Sequence, residues 1–263
     1  MNQAIIFSKN RPLQLEALLS SIDYNAPKFD RIVVIYVSDE QYESGYKRLI
    51  DTWRINWHRQ TGFKQDVLAN IPDEGTTTFF VDDDIFYRKF EGKLPWDILK
   101  EQRNVFRYSF RLGKNINHSF TQGNDVFLPD ISKTSDAMFF EMSATQDTDE
   151  FSYQFSLDGD CFKNEDIKWF IEKKEFDCPN EFEAEMTQIR LFLKPFARSA
   201  MPEKSFVVNV PHNKVQTWSG TTSMGGTQEE LMDIFNQGKH IDWMGMDFSS
   251  VNSPHVPLNY KFR

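Results

Sequence analysis

The strongest constraint on this chain is a set of three short, nearly continuous apolar runs separated by amphipathic stretches. Ala4-Ile5-Ile6-Phe7, Ile32-Val33-Val34-Ile35-Tyr36-Val37 and Thr76-Thr77-Thr78-Phe79-Phe80-Val81 read as strands. Between the first two, Pro12 suits a first helical turn, and Leu15, Leu18, Leu19 and Ile22 follow at helical spacing. After the second, Ser38 and Gln41 are spaced as a capping box for a helix carrying Tyr42, Tyr46, Leu49, Ile50 and Trp53. A short helix is expected over Phe63–Ile71. Strands that are apolar throughout need both faces covered. The order therefore predicts an α/β fold, with a Rossmann-like, mostly parallel central sheet between helices.

Such sheets bind ligands in the crevice beyond the carboxyl ends of their strands. Three polar segments fall there: Ser8-Lys9-Asn10-Arg11, Ser38-Asp39 and the run Asp82-Asp83-Asp84. The last is the sharpest signal. A buried strand that stops at three carboxylates must deliver them to an edge or cleft, because burying them uncompensated is severely unfavourable. A cation offsets their repulsion there, and oxygen donors suit Mg²⁺ or Mn²⁺.

The remainder is less regular. Arg103–Leu112 alternates as a strand does, and Asn115–Asp149 is polar and irregular. Tyr153, Phe155 and Leu157 alternate ahead of Asp158-Gly159-Asp160, a second expected strand ending in carboxylates. Asn164 is placed to cap a helix bearing Ile167, Phe170 and Ile171, and a helix is expected from Pro179-Asn180 toward Phe192. Thr227 and Glu230 form another capping box, with Gly238 as the stop. The tail around Ser253-Pro254-His255-Val256-Pro257 is too rich in proline for regular structure.

Composition narrows the function classes. The net charge of −9 supplies no global field for nucleic acid, so none is expected as a partner. Two cysteines, Cys161 and Cys178, make neither a disulfide framework nor a zinc site. The apolar run Ile32–Val37 is far too short to span a bilayer, so no integral membrane segment is expected. The N-terminus enters a strand directly, without a basic segment and a long apolar stretch. A cytoplasmic setting follows, with membrane contact only peripheral.

The strand–loop Ser8-Lys9-Asn10-Arg11-Pro12, followed some seventy residues later by Phe80-Val81-Asp82-Asp83-Asp84-Ile85-Phe86, resembles the GT-A-fold nucleotide-sugar glycosyltransferases. It looks most like glycosyltransferase family 2 and its unclassified bacterial relatives. The resemblance covers residues 4–90 well, residues 150–195 loosely and the rest barely. It implies a single GT-A-like domain, with residues 1–90 forming the nucleotide-sugar half and 91–263 the acceptor half and tail. It further implies a UDP- or GDP-sugar donor, a glycan or lipid-linked acceptor, a role in surface polysaccharide synthesis, and bound Mn²⁺ or Mg²⁺. In the Asp-X-Asp motif that carries it, Asp84 would hold the metal, Asp82 the ribose or the ion, and Asp83 structure or sugar. His255 is the candidate for a C-terminal metal ligand, ahead of His212 and His240. Ser8, Arg11, Ser38, Asp39 and Lys64 are candidates to contact the donor, and Arg111 to clamp phosphate or to stand as an exposed strand residue. Val37-Ser38-Asp39-Glu40 departs from the family's usual acidic turn after the second strand, which leaves the base unspecified.

An inverting transferase needs a carboxylate to deprotonate the acceptor hydroxyl. The resemblance points to Glu183, near a helix start, with Asp158 as the competing base or acceptor ligand. Trp218, Trp243 and Phe151–Tyr153 are either sugar-stacking platforms or core. Two other classes stay open: a sugar-phosphate nucleotidyltransferase and a non-catalytic carbohydrate- or metal-binding protein. The first is disfavoured because the loop Ser8–Pro12 contains no glycine with which to wrap a triphosphate.

Overall fold

The computed structural model describes residues 1–145, 150–193, 197–212 and 226–263. Its strands, in chain order, are β1 (Asn2–Lys9), β2 (Arg31–Val37), β3 (Asn56–Arg59), β4 (Thr76–Val81), β5 (Asp84–Phe86), β6 (Val105–Ser109) and β7 (His118–Ser119). β8 (Asn124–Asp125), β9 (Ser132–Lys133), β10 (Met138–Glu141), β11 (Asp160–Lys163), β12 (Arg198–Met201) and β13 (Val207–Asn209) follow. The helices are α1 (Pro12–Asn25), α2 (Glu43–Thr52), α3 (Phe63–Asn70), α4 (Pro95–Glu101), α5 (Asn164–Glu172), α6 (Pro179–Thr187) and α7 (Gln228–Asn236).

One sheet organises the fold, in the order β3-β2-β1-β4-β11-β6-β12-β10-β9. β3, β2, β1 and β4 are mutually parallel, β6 and β12 are parallel, and β11 and β10 run against the rest. This is the expected α/β architecture. A small ribbon of β5 and β13 stands apart, and β7 with β8 forms another.

Alternation along each strand sorts the core into two layers. Ala4 and Ile6 of β1, Val34 and Tyr36 of β2, and Phe80 of β4 face α1, α2, α4 and α7. Ile5, Phe7, Val33, Ile35 and Phe79 face α3, α5 and α6. That two-sided burial explains why these strands carry almost no polar positions. The second layer is notably aromatic: the Phe182 ring meets Phe7, Phe63, Phe79, Phe155 and Phe176 at centroid distances of 4.5–6.3 Å. A third cluster, including Leu112, Ile116, Met138, Phe140 and Phe151, lies under the irregular half.

Several local expectations change in the tertiary context. No capping box forms at Ser38 and Gln41. A 3₁₀ turn over Glu40–Tyr42 precedes α2, and the Ser38 hydroxyl donates to the Asp39 carbonyl instead. Asn164 is the first helical residue of α5 rather than its cap; its side chain is spent on Thr77 Oγ1 (2.7 Å) and the Glu74 carbonyl (3.1 Å). The strand expected to end at Asp158 instead begins at Asp160. Residues 150–157 are irregular, and Gly159 makes the turn with φ +93°. Its N–H donates to the Phe79 carbonyl and its own carbonyl accepts from Phe110 N–H, which pins the turn; a Cβ there would find room, and it is the left-handed φ that favours glycine. β3 and β10 were not expected; each is a four-residue strand, one with mixed polarity and one inside the irregular region. The capping box at Thr227 and Glu230 forms as expected, with Gly238 at φ +77° just beyond the helix.

Among the polar groups, Arg107 of β6 and Asp160 of β11 form an ion pair at 2.7 Å with neither side chain exposed. Ser199 and the carbonyls of Phe151 and Tyr153 take further guanidinium hydrogens. Removing one member of such a pair strands a buried charge, which costs about 3–5 kcal/mol. Arg107→Leu is therefore expected to lower the urea midpoint by that equivalent. Arg107→Leu combined with Asp160→Leu should recover most of it, and a double variant no better than the single would refute this account.

Candidate functional site

The site is built on the rim formed by the carboxyl ends of the parallel strands. β4 ends at Val81, and Asp82-Asp83 form the turn into β5. Because β11 runs antiparallel to β4, its first residue and the preceding Asp158 reach the same rim. Carboxylates from two separate parts of the chain are thereby brought together.

Arg11, just beyond β1, is the central cation. Its Nη1 lies 3.0 Å from Asp82 Oδ1 and 2.7 Å from Asp83 Oδ2. Lys9 N–H donates to Asp82 Oδ2 at 3.0 Å. Asn209 Nδ2, from β13, donates to Asp83 Oδ1 at 2.8 Å and to Asp84 Oδ1 at 3.2 Å. Asp84 turns back so that its Oδ2 accepts from Val81 N–H at 3.1 Å. Burial raises Asp82 to about 6, with Arg11 pulling down and Asp83 pushing up. Asp84 is fully buried, and burial together with the charges of Asp158 and Asp83 holds it well above the ordinary carboxylate range.

A second cluster lies beside Asp84. His255 Nε2 sits 3.1 Å from Asp158 Oδ2, while Nδ1 is buried without a hydrogen-bond partner. The tail brings His255 here by bridging to Asn209, which exchanges backbone bonds with Pro254 and Val256. Burial alone would raise Asp158, but the His255 bond and charge lower it below the usual carboxylate value. Burial alone would lower His255, and Asp158 reverses that.

Glu183 of α6 points into this cluster, its Oε1 accepting from Leu157 N–H at 2.9 Å. Burial first, then the charge of Asp158, raises it to about 7. The neighbouring Phe182 is locked in the aromatic layer, so the helix is held firmly where Glu183 needs it. Behind it, Arg111 is buried and pairs with Glu150 at 2.7 Å, and Glu150 accepts from Ser119 at 2.6 Å. Arg111 is thus neither an exposed strand residue nor a free phosphate clamp.

Ser8 and Ser38 are buried at their strand ends, Ser8 against the Tyr46 hydroxyl at 2.6 Å. Asp39 is held by Asn10 in a reciprocal pair, Nδ2 to Oδ2 at 2.6 Å and Asp39 N–H to Oδ1 at 2.8 Å. Asn10 adopts φ +57°, a left-handed conformation that asparagine tolerates better than most residues. Lys64 is not gathered into the cluster; its ammonium is held by Glu175 at 2.7 Å and by the Glu172 carbonyl. His240 pairs with Glu16. His212 stacks on Tyr260 at 4.3 Å and is lowered by burial and by the Arg11 charge. Trp243 and Phe151 are core residues, Trp243 donating to Ser20. Trp218 lies outside the described residues.

Sequence reasoning missed Asn209 and Asn10. Asn209 interrupts the apolar run Val207-Val208-Asn209-Val210, and a lone amide in a buried strand is a signal that it serves another polar group. The donor set is carboxylate oxygen with one imidazole, the chemistry of Mg²⁺ or Mn²⁺. Among the described residues no three such side chains are already grouped as a metal cage. Ions of this kind commonly take one or two protein carboxylates and complete their shell with water and substrate phosphates. Burial and the charges of Asp158 and Asp83 push Asp84 toward its neutral form, and a cation held there would stabilise the ionised form instead, so the residues fit.

No family model matches the chain. The bifunctional glycosyltransferase pgtA of Dictyostelium discoideum is 26% identical over 188 residues, which span 66% of this chain and 23% of that protein. A crystal structure of S. aureus TarS 1–349 superposes with a TM-score of 0.46 at 14% identity, covering 79% of this chain and 60% of that one. 4-diphosphocytidyl-2C-methyl-D-erythritol synthase gives 0.38 at 11% identity, covering 89% and 96%. The chain thus pairs an acid-ended strand on the rim of a mostly parallel sheet with sequence similarity to a glycosyltransferase, of whose length it spans about a quarter.

Proposed function

We propose that the chain is a metal-dependent glycosyltransferase that moves a sugar from a UDP- or GDP-sugar to a hydroxyl of a glycan or lipid-linked acceptor, in surface polysaccharide synthesis. One observation carries the reading: the buried Asp82-Asp83-Asp84 turn and the Asp158–Glu183–His255 cluster share one rim, coupled through Asp84 and Asp158. It supports the reading because oxygen ligands for a metal and its diphosphate would then lie beside a carboxyl raised to about 7.

Asp84, Asp82 and His255 are the residues that would hold the ion, which supplies Lewis-acid neutralisation of the departing diphosphate. Asp39, held by Asn10, would contact the donor together with Ser8 and Ser38 at the neighbouring strand ends. Glu183 accepts the acceptor hydroxyl proton as the oxygen bonds to the anomeric carbon, and the carbon–oxygen bond to the diphosphate breaks with its electron pair. Asp158, kept ionised by His255, raises the affinity of Glu183 for that proton. A base near pH 7 combines availability with driving force. Among the described residues no helix is long and apolar enough to cross a membrane.

The test is a thermal-shift panel of UDP-, GDP-, CMP- and dTDP-sugars, each with Mn²⁺ and with chelator. A ligand bound only by the folded state raises the melting temperature, by about 2.7 kcal/mol of stabilisation at a hundredfold excess over Kd. One nucleotide should stabilise the chain, and chelator should abolish the shift. No shift with any donor would transfer the reading to a binding protein.

A further inference from the structure

All six carboxylate oxygens of Asp82, Asp83 and Asp84 already have a protein donor. Arg11 serves Asp82 Oδ1 and Asp83 Oδ2, Lys9 N–H serves Asp82 Oδ2, Asn209 serves Asp83 Oδ1 and Asp84 Oδ1, and Val81 N–H serves Asp84 Oδ2. Of these donors only Arg11 carries a full charge, and the Arg11, Asp82 and Asp83 side chains are 8%, 5% and 11% exposed. A guanidinium so placed cannot be screened by water and is not a wandering surface group. Its two anionic neighbours hold it charged, against the opposing effect of burial. Any cation bound to Asp82 or Asp83 would sit beside this positive charge.

We propose that Arg11 is the resident counter-ion of the Asp82–Asp83 pair and competes with the divalent cation for Asp82, so that completing the metal site requires Arg11 to leave that carboxylate. The inference deepens the transferase reading and rests on its metal site. It gives Arg11 a positioning role: with no metal bound, Arg11 keeps the turn closed and offsets repulsion between adjacent aspartates. A cation bound to Asp82 makes that contact repulsive, which turns the guanidinium away from Asp82. Metal affinity in the absence of donor is then set low by design of the turn. The donor's phosphates, which bring further oxygen ligands, are what tip the exchange.

The experiment titrates Mn²⁺ alone into the full chain, counting free ion by electron paramagnetic resonance, with no nucleotide-sugar present. Arg11→Gln keeps an amide donor and removes the rival charge, so it should bind Mn²⁺ at least about tenfold more tightly than the native chain, a difference of about 1.4 kcal/mol. Arg11→Lys, which retains the charge but loses the planar fork, should fall between the two. Equal or weaker affinity in Arg11→Gln, or binding by neither protein, overturns the proposal. Should Arg11→Gln fail to fold, the native chain carries the test through its arginine side-chain N–H resonances. Saturating Mg²⁺ should shift the Arg11 signal, and an Arg11 signal unmoved at saturation overturns the idea equally. Because no donor is used, a chain that binds Mn²⁺ in this way yet no nucleotide-sugar would defeat the transferase reading and leave the Arg11 result standing.

Discussion

Glu183→Gln should lose about 10²–10⁴-fold in kcat while keeping donor affinity, the usual range for removing a general base. Glutamine preserves the size and the carbonyl that accepts from Leu157 N–H, so the helix start need not move. What disappears is a group able to take the acceptor's proton. Isothermal titration of the donor, beside initial rates at saturating substrates, separates these outcomes; a fully active variant would hand the role to Asp158. The native enzyme should also show an acidic limb. Glu183 is raised from 4.5 to about 7 by burial and by the Asp158 charge, so turnover should fall as pH drops through about 7. The linkage to stability has the opposite sense. A carboxyl whose folded pKa is raised contributes stability that is fully present below the unfolded value of 4.5 and lost as pH rises through about 7. Glu183→Gln should therefore flatten the decline in melting temperature between those pH values. A native pH–rate profile with no inflection near 7, or a variant that keeps it, would count against Glu183.

Asp84→Asn is expected to remove the chelator-sensitive part of donor binding and to cut turnover by about 10²–10³-fold or more. A Lewis-acid metal contributes several kcal/mol to the transition state, and each 1.36 kcal/mol is a factor of ten. Asp84 is the member of the triplet that Arg11 does not pair with, and the charge of Asp158 opposes its ionisation, so its ionised form is the one most in need of a cation. The neutral amide gives the ion no anionic ligand there. The measurement is the thermal shift by donor with and without Mn²⁺, repeated on the variant. A variant whose donor shift still depends on Mn²⁺ would show that the ion sits elsewhere, with Asp82 and His255 next in line.

Much of the frame was legible because it depends on local pattern. The runs at Ala4, Ile32 and Thr76 are apolar on both faces, so they could only be inner strands, and Leu15, Leu18, Leu19 and Ile22 lie on one side of a helix whatever surrounds it. Asp82-Asp83-Asp84 follow the strand to the rim, and they are buried there only because Arg11, Asn209 and two backbone N–H groups supply each oxygen with a donor. Where polarity was mixed, the reading failed: β3 is one such strand, and β10 hides among polar neighbours, both recruited by pairing rather than propensity. Ser38 looked like a cap in isolation and lost that role when the chain turned through Glu40–Tyr42 instead. Asn164 lost its cap to Thr77 and Glu74, partners 87 and 90 residues away.

The amino-acid order by itself determined that β1, β2 and β4 are inner strands, that α1, α2 and α3 lie between them, and that an acidic turn follows β4, since each depends on neighbours within a few residues. Only the tertiary structure decided that Arg11 closes Asp82 and Asp83, that Asn209 ties Asp83 to Asp84, and that Arg111 is committed to Glu150. It likewise decided that Asp158, His255 and Glu183 converge, because β11 runs antiparallel and the tail returns to β13. The reason is physical. Hydrophobic periodicity is written at a spacing of two to four residues, whereas a charge finds its partner by desolvation and distance in space, and those are set only once the sheet has assembled.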